Sequence, residues 1–195
     1  ITPPNTVVGG EAKIVPATTI LRDGELIGVV GATTQLIESI TSNGGVSVVG
    51  PTSNDMPALA AILQPVIDQL TNNGVNKIIL VTHLQQLALE QQLVGLLSGV
   101  DIIVAGGSDA ILADGDDVLR PGDTADGPYP FLTTNLDGDP AVIVSTDGEY
   151  SYVGRLVVDF DASGVLLTGS IDPLTNGPVA TTDANVTALW GDLVT

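Results

Sequence analysis

Two short apolar runs constrain the fold more than any other feature of the chain. Residues 77–82 (KIILVT) and 101–105 (DIIVA) are continuous stretches of β-branched residues and Leu, the kind buried on both faces of a parallel sheet. A helix-compatible stretch over 85–97, ending near Gly99, lies between them. Strand, helix, strand in that order predicts a right-handed βαβ crossover with the two strands parallel. Parallel neighbours end on the same edge of a sheet, and in open α/β sheets ligands gather beyond that carboxyl edge. The first run leads directly into His83, the only histidine, and the second into Gly106, Gly107, Ser108 and Asp109.

The flanking segments read as hairpins and one further helix. Residues 12–20 and 25–30 are strand-like on either side of Asp23 and Gly24, a dipeptide suited to tight turns that need positive φ. A short strand candidate covers 46–49. Next comes a helix capped by Asn54 or Asp55, with Pro57 in its first turn and Leu59, Ile62, Leu63, Val66, Ile67 and Leu70 on one apolar face. Gly74 is placed to end it, and Pro65 is expected to kink it. Residues 114–130, rich in Asp, Gly and Pro, read as a long surface loop. Strands are expected over 130–135 and 141–145 across Asp137 and Gly138, and over 150–160 and 164–171 across 162–164. The class is therefore α/β: a mixed sheet with a βαβ crossover and flanking hairpins, in one unit spanning 1–195, with 172–195 as a tail or a linker to a following domain.

Composition narrows the partners. At 195 residues the chain is long enough for one real core, since about 70% of the unfolded surface is buried at this size. Hydrophobic residues make up 44% but aromatics only 3%, so that core is built of Val, Ile, Leu and Ala. With 23 acidic residues against 5 basic ones the formal charge is -18, which repels phosphate backbones and argues against binding nucleic acid or anionic membranes. No apolar run approaches the roughly 20 residues needed to span a bilayer. Cysteine is absent, which excludes disulfides and thiolate sites. The first residue is Ile1 rather than Met, so a processed product or fragment is expected.

By residue type, His83 and Asp109 are candidate ligands for a divalent metal, although a metal usually takes at least three protein ligands. The alternative for His83 is a hydrogen-bonded cap on the following helix. Gly106 and Gly107, with Ser108, form either a tight turn or a place where backbone N–H groups approach an anion. Asp114, Asp116 and Asp117 sit in a loop able to hold calcium but lack EF-hand spacing, and solvated carboxylates are the simpler reading. Asn185 opens a glycosylation sequon. With one histidine and no G-x-S-x-G elbow, no Ser/His/Asp triad can be assembled.

The run NNGVNKIILVTHLQQLALEQQLVGLLSGVDIIVAGGSD resembles the bacterial 5'-nucleotidase and calcineurin-like metallophosphoesterase families, in which a strand ends in His and the next strand leads into Gly-Gly-His-Ser-His. DGEYSYVGRLVVDFDASG is similar to the strand pair that closes that catalytic domain, and with ELIGVVGATT the likeness covers most of 12–170 in order. The resemblance implies that residues 12–171 form the latter half of a calcineurin-like α/β sandwich, with the earlier metal motifs upstream. It implies a metal-dependent phosphomonoester hydrolase, 5'-nucleotidase or alkaline-phosphatase-like, secreted or periplasmic, using Zn, Mn, Fe or Ca to polarise a small phosphoester and activate water. His83 falls on a family metal ligand. The two following family histidines fall on Ser108 and Ala110, with Asp109 as a substitute by local shift; the GGSD variant is similar to that of a secreted alkaline-phosphatase-like branch. As a fragment without the earlier motifs, the chain is expected to be nearly inert alone. The competing expectation is a non-catalytic acidic extracellular module on a phosphatase-like scaffold.

Overall fold

The two apolar runs are adjacent parallel strands at the centre of the computed structural model, which describes residues 7–8, 11–12, 15–45, 47–48, 50–51 and 53–190. In chain order the elements begin with β1 (Val7–Val8), β2 (Glu11–Ala12), β3 (Ala17–Arg22), β4 (Glu25–Thr33), the single helical turn α1 (Ile37–Ile40) and α2 (Met56–Asn72). They continue with β5 (Ile78–His83), α3 (Leu87–Val94), β6 (Ile102–Val104), β7 (Phe131–Thr134) and β8 (Pro140–Val144). The last are β9 (Tyr152–Arg155), β10 (Asp159–Phe160), β11 (Leu166–Leu167), β12 (Gly177–Ala180) and α4 (Asp183–Trp190).

Six strands form the main sheet in the order β3-β4-β5-β6-β8-β7. The inner four, β4, β5, β6 and β8, run parallel, and β3 and β7 close the edges as antiparallel hairpin partners. Register aligns Thr33 with His83, Val81 with Val104, and Val104 with Val144, so all four parallel strands end on one rim. The β3–β4 hairpin turns on Asp23 (φ 51) and Gly24 (φ 89), the double positive φ of a two-residue hairpin.

The faces of the sheet differ. Val30, Ile78, Leu80, Ile103, Ala141 and Ile143 point to one side and pack against Leu59, Leu63 and Ile67 of α2 and Leu93 of α3 in the main core. On the other side Ile102 and Val142 are covered by Leu166, with Leu156, Val158, Phe160 and Ile171 around it. That cover stops short of the rim: Val81 is 42% and Val104 39% exposed. Helix α2 begins where its composition says, because the Asp55 carboxylate accepts the Ala58 N–H at 2.9 Å. It runs unbroken from Met56 to Asn72 through Pro65, and Gly74 (φ 86) follows its end.

Several expectations are corrected. The first hairpin strand is Ala17–Arg22 rather than 12–20, and Lys13 and Ile14 lie outside the described residues. Of the strand expected over 46–49, Val46 and Val49 also lie outside them. Helix α3 is shorter than 85–97, because Gln85 takes φ 75 and so cannot continue a right-handed helix. The hairpin of 150–160 with 164–171 is reduced to β10 with β11, and β9 pairs instead with β12. Residues 114–130 contain no strand but are anchored: Tyr129 is buried, and the Tyr152 hydroxyl accepts the Arg120 N–H and donates to Asp123.

Candidate functional site

His83 closes β5 and stands on the rim beside the turn that follows β6. The contact with that turn is intimate. A Cβ built on Gly107 would lie 2.8 Å from His83 Cδ2 and 2.9 Å from Nε2, and one on Gly106 would lie 2.8 Å from the Thr82 carbonyl oxygen. A side chain at 107 would collide with the ring, and Gly107 also takes φ 84, a conformation L side chains rarely adopt. Gly107 is thus required both by the turn and by the imidazole, whereas Gly106 is held free of a side chain by the Thr82 carbonyl. Gln86, the N-cap residue of α3, makes no side-chain capping hydrogen bond.

Ser108 and Asp109 lead away from His83 toward the end of β8. Ser108 Oγ accepts its neighbour Ala110 N–H at 3.4 Å, Ser145 Oγ donates to the Ala110 carbonyl at 2.9 Å, and Asp109 Oδ1 lies 3.4 Å from a Cβ built on Gly148. The rim therefore has a third component, residues 145–150, that local sequence pattern did not reveal. It is conformationally unusual: Asp147 (φ 60), Glu149 (φ 56) and Tyr150 (φ 60) occupy the left-handed region without being glycine, as does Gln85 beside His83. Four of the five such residues described border this one edge, and strain of this kind gathers where function demands a particular geometry. A cleft of about 440 Å³ opens next to His83, bordered by Pro16, Gly31, Thr33, Val81 and Thr82.

Behind the rim sits a buried acid that sequence reading passed over. Glu90 of α3 is 1% exposed; its Oε1 accepts the Thr82 hydroxyl at 2.9 Å, while its Oε2 has no hydrogen-bond partner. Burial raises its pKa, against the lowering effect of the Thr82 hydrogen bond and of backbone N–H groups. One signal was available: Glu90 is the only charged residue of α3. A second buried acid, Asp101, lies at the opposite edge of the sheet. Its carboxylate accepts the Ile78 N–H at 2.7 Å, and burial pushes its pKa up to about 7.

By type His83 and Asp109 suit a divalent cation; by number they do not complete a site. Among the described residues no three His, Cys, Asp or Glu side chains converge where they could hold a metal. This includes Asp114, Asp116 and Asp117, of which Asp117 Oδ2 instead accepts the Asp114 N–H at 2.7 Å. Among the described residues no helix is long and apolar enough to cross a membrane.

Comparison with known proteins gives a consistent picture. No protein-family model matches the chain. The chain is 30% identical over 173 residues to a 5'-nucleotidase of Mus musculus, covering 89% of the chain but 28% of that protein. Among solved structures it is similar to a 5'-nucleotidase precursor from Thermus thermophilus, with TM-score 0.66 and 27% identity over 87% of the chain and 30% of the other. The fold is also shared with an NAD nucleotidase of Haemophilus influenzae, at TM-score 0.60 and 21% identity over 89% of the chain and 32% of the other. The chain thus spans under a third of the relatives it matches. Over that span its homologues are 5'-nucleotidases, and its mixed α/β sheet matches theirs.

Proposed function

We propose that the chain is one part of a metal-dependent phosphomonoester hydrolase acting on nucleotides or similar small phosphoesters, in which His83 donates one ligand to a divalent metal. The observation that carries this reading is the seating of His83 against Gly106 and Gly107, at the common carboxyl edge of four parallel strands, in a chain related to 5'-nucleotidases. A divalent metal, when bound, supplies polarisation of the phosphate and a lowered pKa for the attacking water. The chain's own contribution is positional. The imidazole is held in place by packing against the turn. The bare Gly106–Gly107 backbone leaves room for an anionic group to approach closely. Asp109 is the second candidate donor.

The remaining ligands would come from the upstream part of the same protein, and the fold offers that part a seat. Inner parallel strands are ordinarily covered on both faces, yet Val81 and Val104 are half-open next to His83. The charge of -18 argues against nucleic acid as substrate and fits an extracellular or periplasmic setting. The test is hydrolysis of p-nitrophenyl phosphate and of a nucleoside 5'-monophosphate by the whole protein that carries this chain. Activity abolished by chelator and restored by a divalent metal supports the reading; no hydrolysis with any divalent metal overturns it.

Ser108 and Ala110, poor ligands where the family has histidines, favour a second reading: a non-catalytic acidic module on the same scaffold. Stoichiometric transition metal in the whole protein would exclude it.

A further inference from the structure

Thr82 precedes His83 and faces inward, where it is 4% exposed. Its hydroxyl lies 2.9 Å from Glu90 Oε1 on α3 and 3.2 Å from the Val104 carbonyl oxygen at the end of β6. A hydroxyl has one proton to give. If Glu90 is a carboxylate, both neighbours are pure acceptors, and Thr82 satisfies one at the expense of the other. As a carboxylate, Glu90 would keep Oε2 buried without a well-formed hydrogen bond, compensated only in part by the Leu84 and Glu90 backbone N–H groups that favour the charged form. If Glu90 carries a proton the conflict disappears. The acid O–H donates to Thr82 Oγ1, and the Thr82 O–H is free to donate to the Val104 carbonyl.

We propose that a proton on Glu90 completes a relay from Glu90 through Thr82 to Val104, which ties α3, β5 and β6 together and makes Glu90 the positioning residue for His83. The relay ends one residue before His83 on β5 and two residues before Gly106 on β6, so it fixes the two chain segments whose contact forms the rim. The Thr82 carbonyl, 2.8 Å from a Cβ built on Gly106, shows how little slack that junction has. Charged neighbours do not supply the proton affinity. Of the elements packed here α3 holds no other charge, β6 holds none, β5 brings only His83, and α2 brings only Asp68, which accepts from Gln64. Burial is the first cause of the raised Glu90 pKa. The significance of the relay for catalysis rests on the proposed metal role of His83; the relay itself does not.

The test is NMR on the full chain in the presence of chelator. In the wild type the Glu90 carboxyl carbon should titrate above the usual carboxylate range, and the Gly106 and Gly107 amides should follow that titration. Glu90→Gln, whose amide can donate to Thr82 Oγ1 as the neutral acid does, should hold the protonated-state signals at every pH. Glu90→Ala should lose them, and Thr82→Val should uncouple the glycine amides from Glu90. Glu90 titrating in the ordinary range, rim signals indifferent to it, or Glu90→Gln behaving like Glu90→Ala would each overturn the proposal. Because no metal or substrate enters the experiment, absence of phosphatase activity would not mimic failure of the relay, nor the reverse.

Discussion

Replacing Gly107 by Ala places a methyl group where the structure has none to spare. The new Cβ would sit 2.8 Å from His83 Cδ2, 2.9 Å from Nε2 and 2.8 Å from Gln85 Nε2, on a residue with φ 84. The left-handed conformation costs a non-glycine residue about 1–2 kcal/mol. Moving the imidazole and the Gln85 amide aside adds an overpacking cost of about 1–3 kcal/mol. The expected loss centres on about 3 kcal/mol, which for a domain of this size lowers Tm by about 6–12 °C. Gly24→Ala is the control: Gly24 has φ 89 but nothing within 4 Å of a Cβ, so it carries the conformational cost without the collision. Thermal unfolding of the two variants, followed by calorimetry, separates the contributions, and the His83 ring signals should move only in Gly107→Ala. Equal melting temperatures for both variants with unmoved His83 signals would refute the claim that the imidazole rests on this turn.

Three further expectations test other parts of the structure. Asp101 has a folded pKa of about 7 against an ordinary 3.8, so its contribution to stability is greatest below the unfolded value and is lost as pH rises between the two. At 1.36 kcal/mol per unit the shift corresponds to about 4 kcal/mol. Denaturant unfolding should therefore show stability falling from pH 4 to 7, and Asp101→Asn should flatten that fall. Asp55→Ala removes the N-cap of α2 and should cost about 1 kcal/mol by the same measurement, with Asp55→Ser recovering most of it. Gly164→Ala should be severely destabilising, because at φ 92 its Cβ would collide with the Asn76 carbonyl oxygen, and a backbone atom there cannot rotate away.

The sheet was legible where the information is local. Continuous β-branched runs marked β5 and β6, Asp23 and Gly24 marked a turn whose φ values are both positive, and Asn54 or Asp55 marked the start of α2, of which Asp55 is the cap. His83 and the Gly106–Gly107 turn could be placed on one rim because strand direction follows from the intervening helix alone. What stayed hidden depends on distant partners. The pairing of Tyr152–Arg155 with Gly177–Ala180 joins segments over twenty residues apart that carry no mutual signature. Gln85 looked like a helix residue, since positive φ in a non-glycine residue is imposed by its surroundings. Glu90 was passed over within the helix-compatible stretch 85–97, and only the packing of α3 shows it facing Thr82. Residues 147–150 open a segment read only as part of a strand pair, and the place of 145–150 on the rim follows from β8 lying next to β6.

The most direct test of the account is divalent metal content measured together with phosphomonoester hydrolysis, in the whole protein carrying this chain, for the wild type and His83→Ala. The account predicts bound metal and hydrolysis in the wild type, and a fall of at least about 10-fold in metal affinity or activity in the variant, the lower end of what loss of a mere supporting contact costs a metal site. Unchanged metal content and unchanged hydrolysis in a folded His83→Ala protein would contradict it.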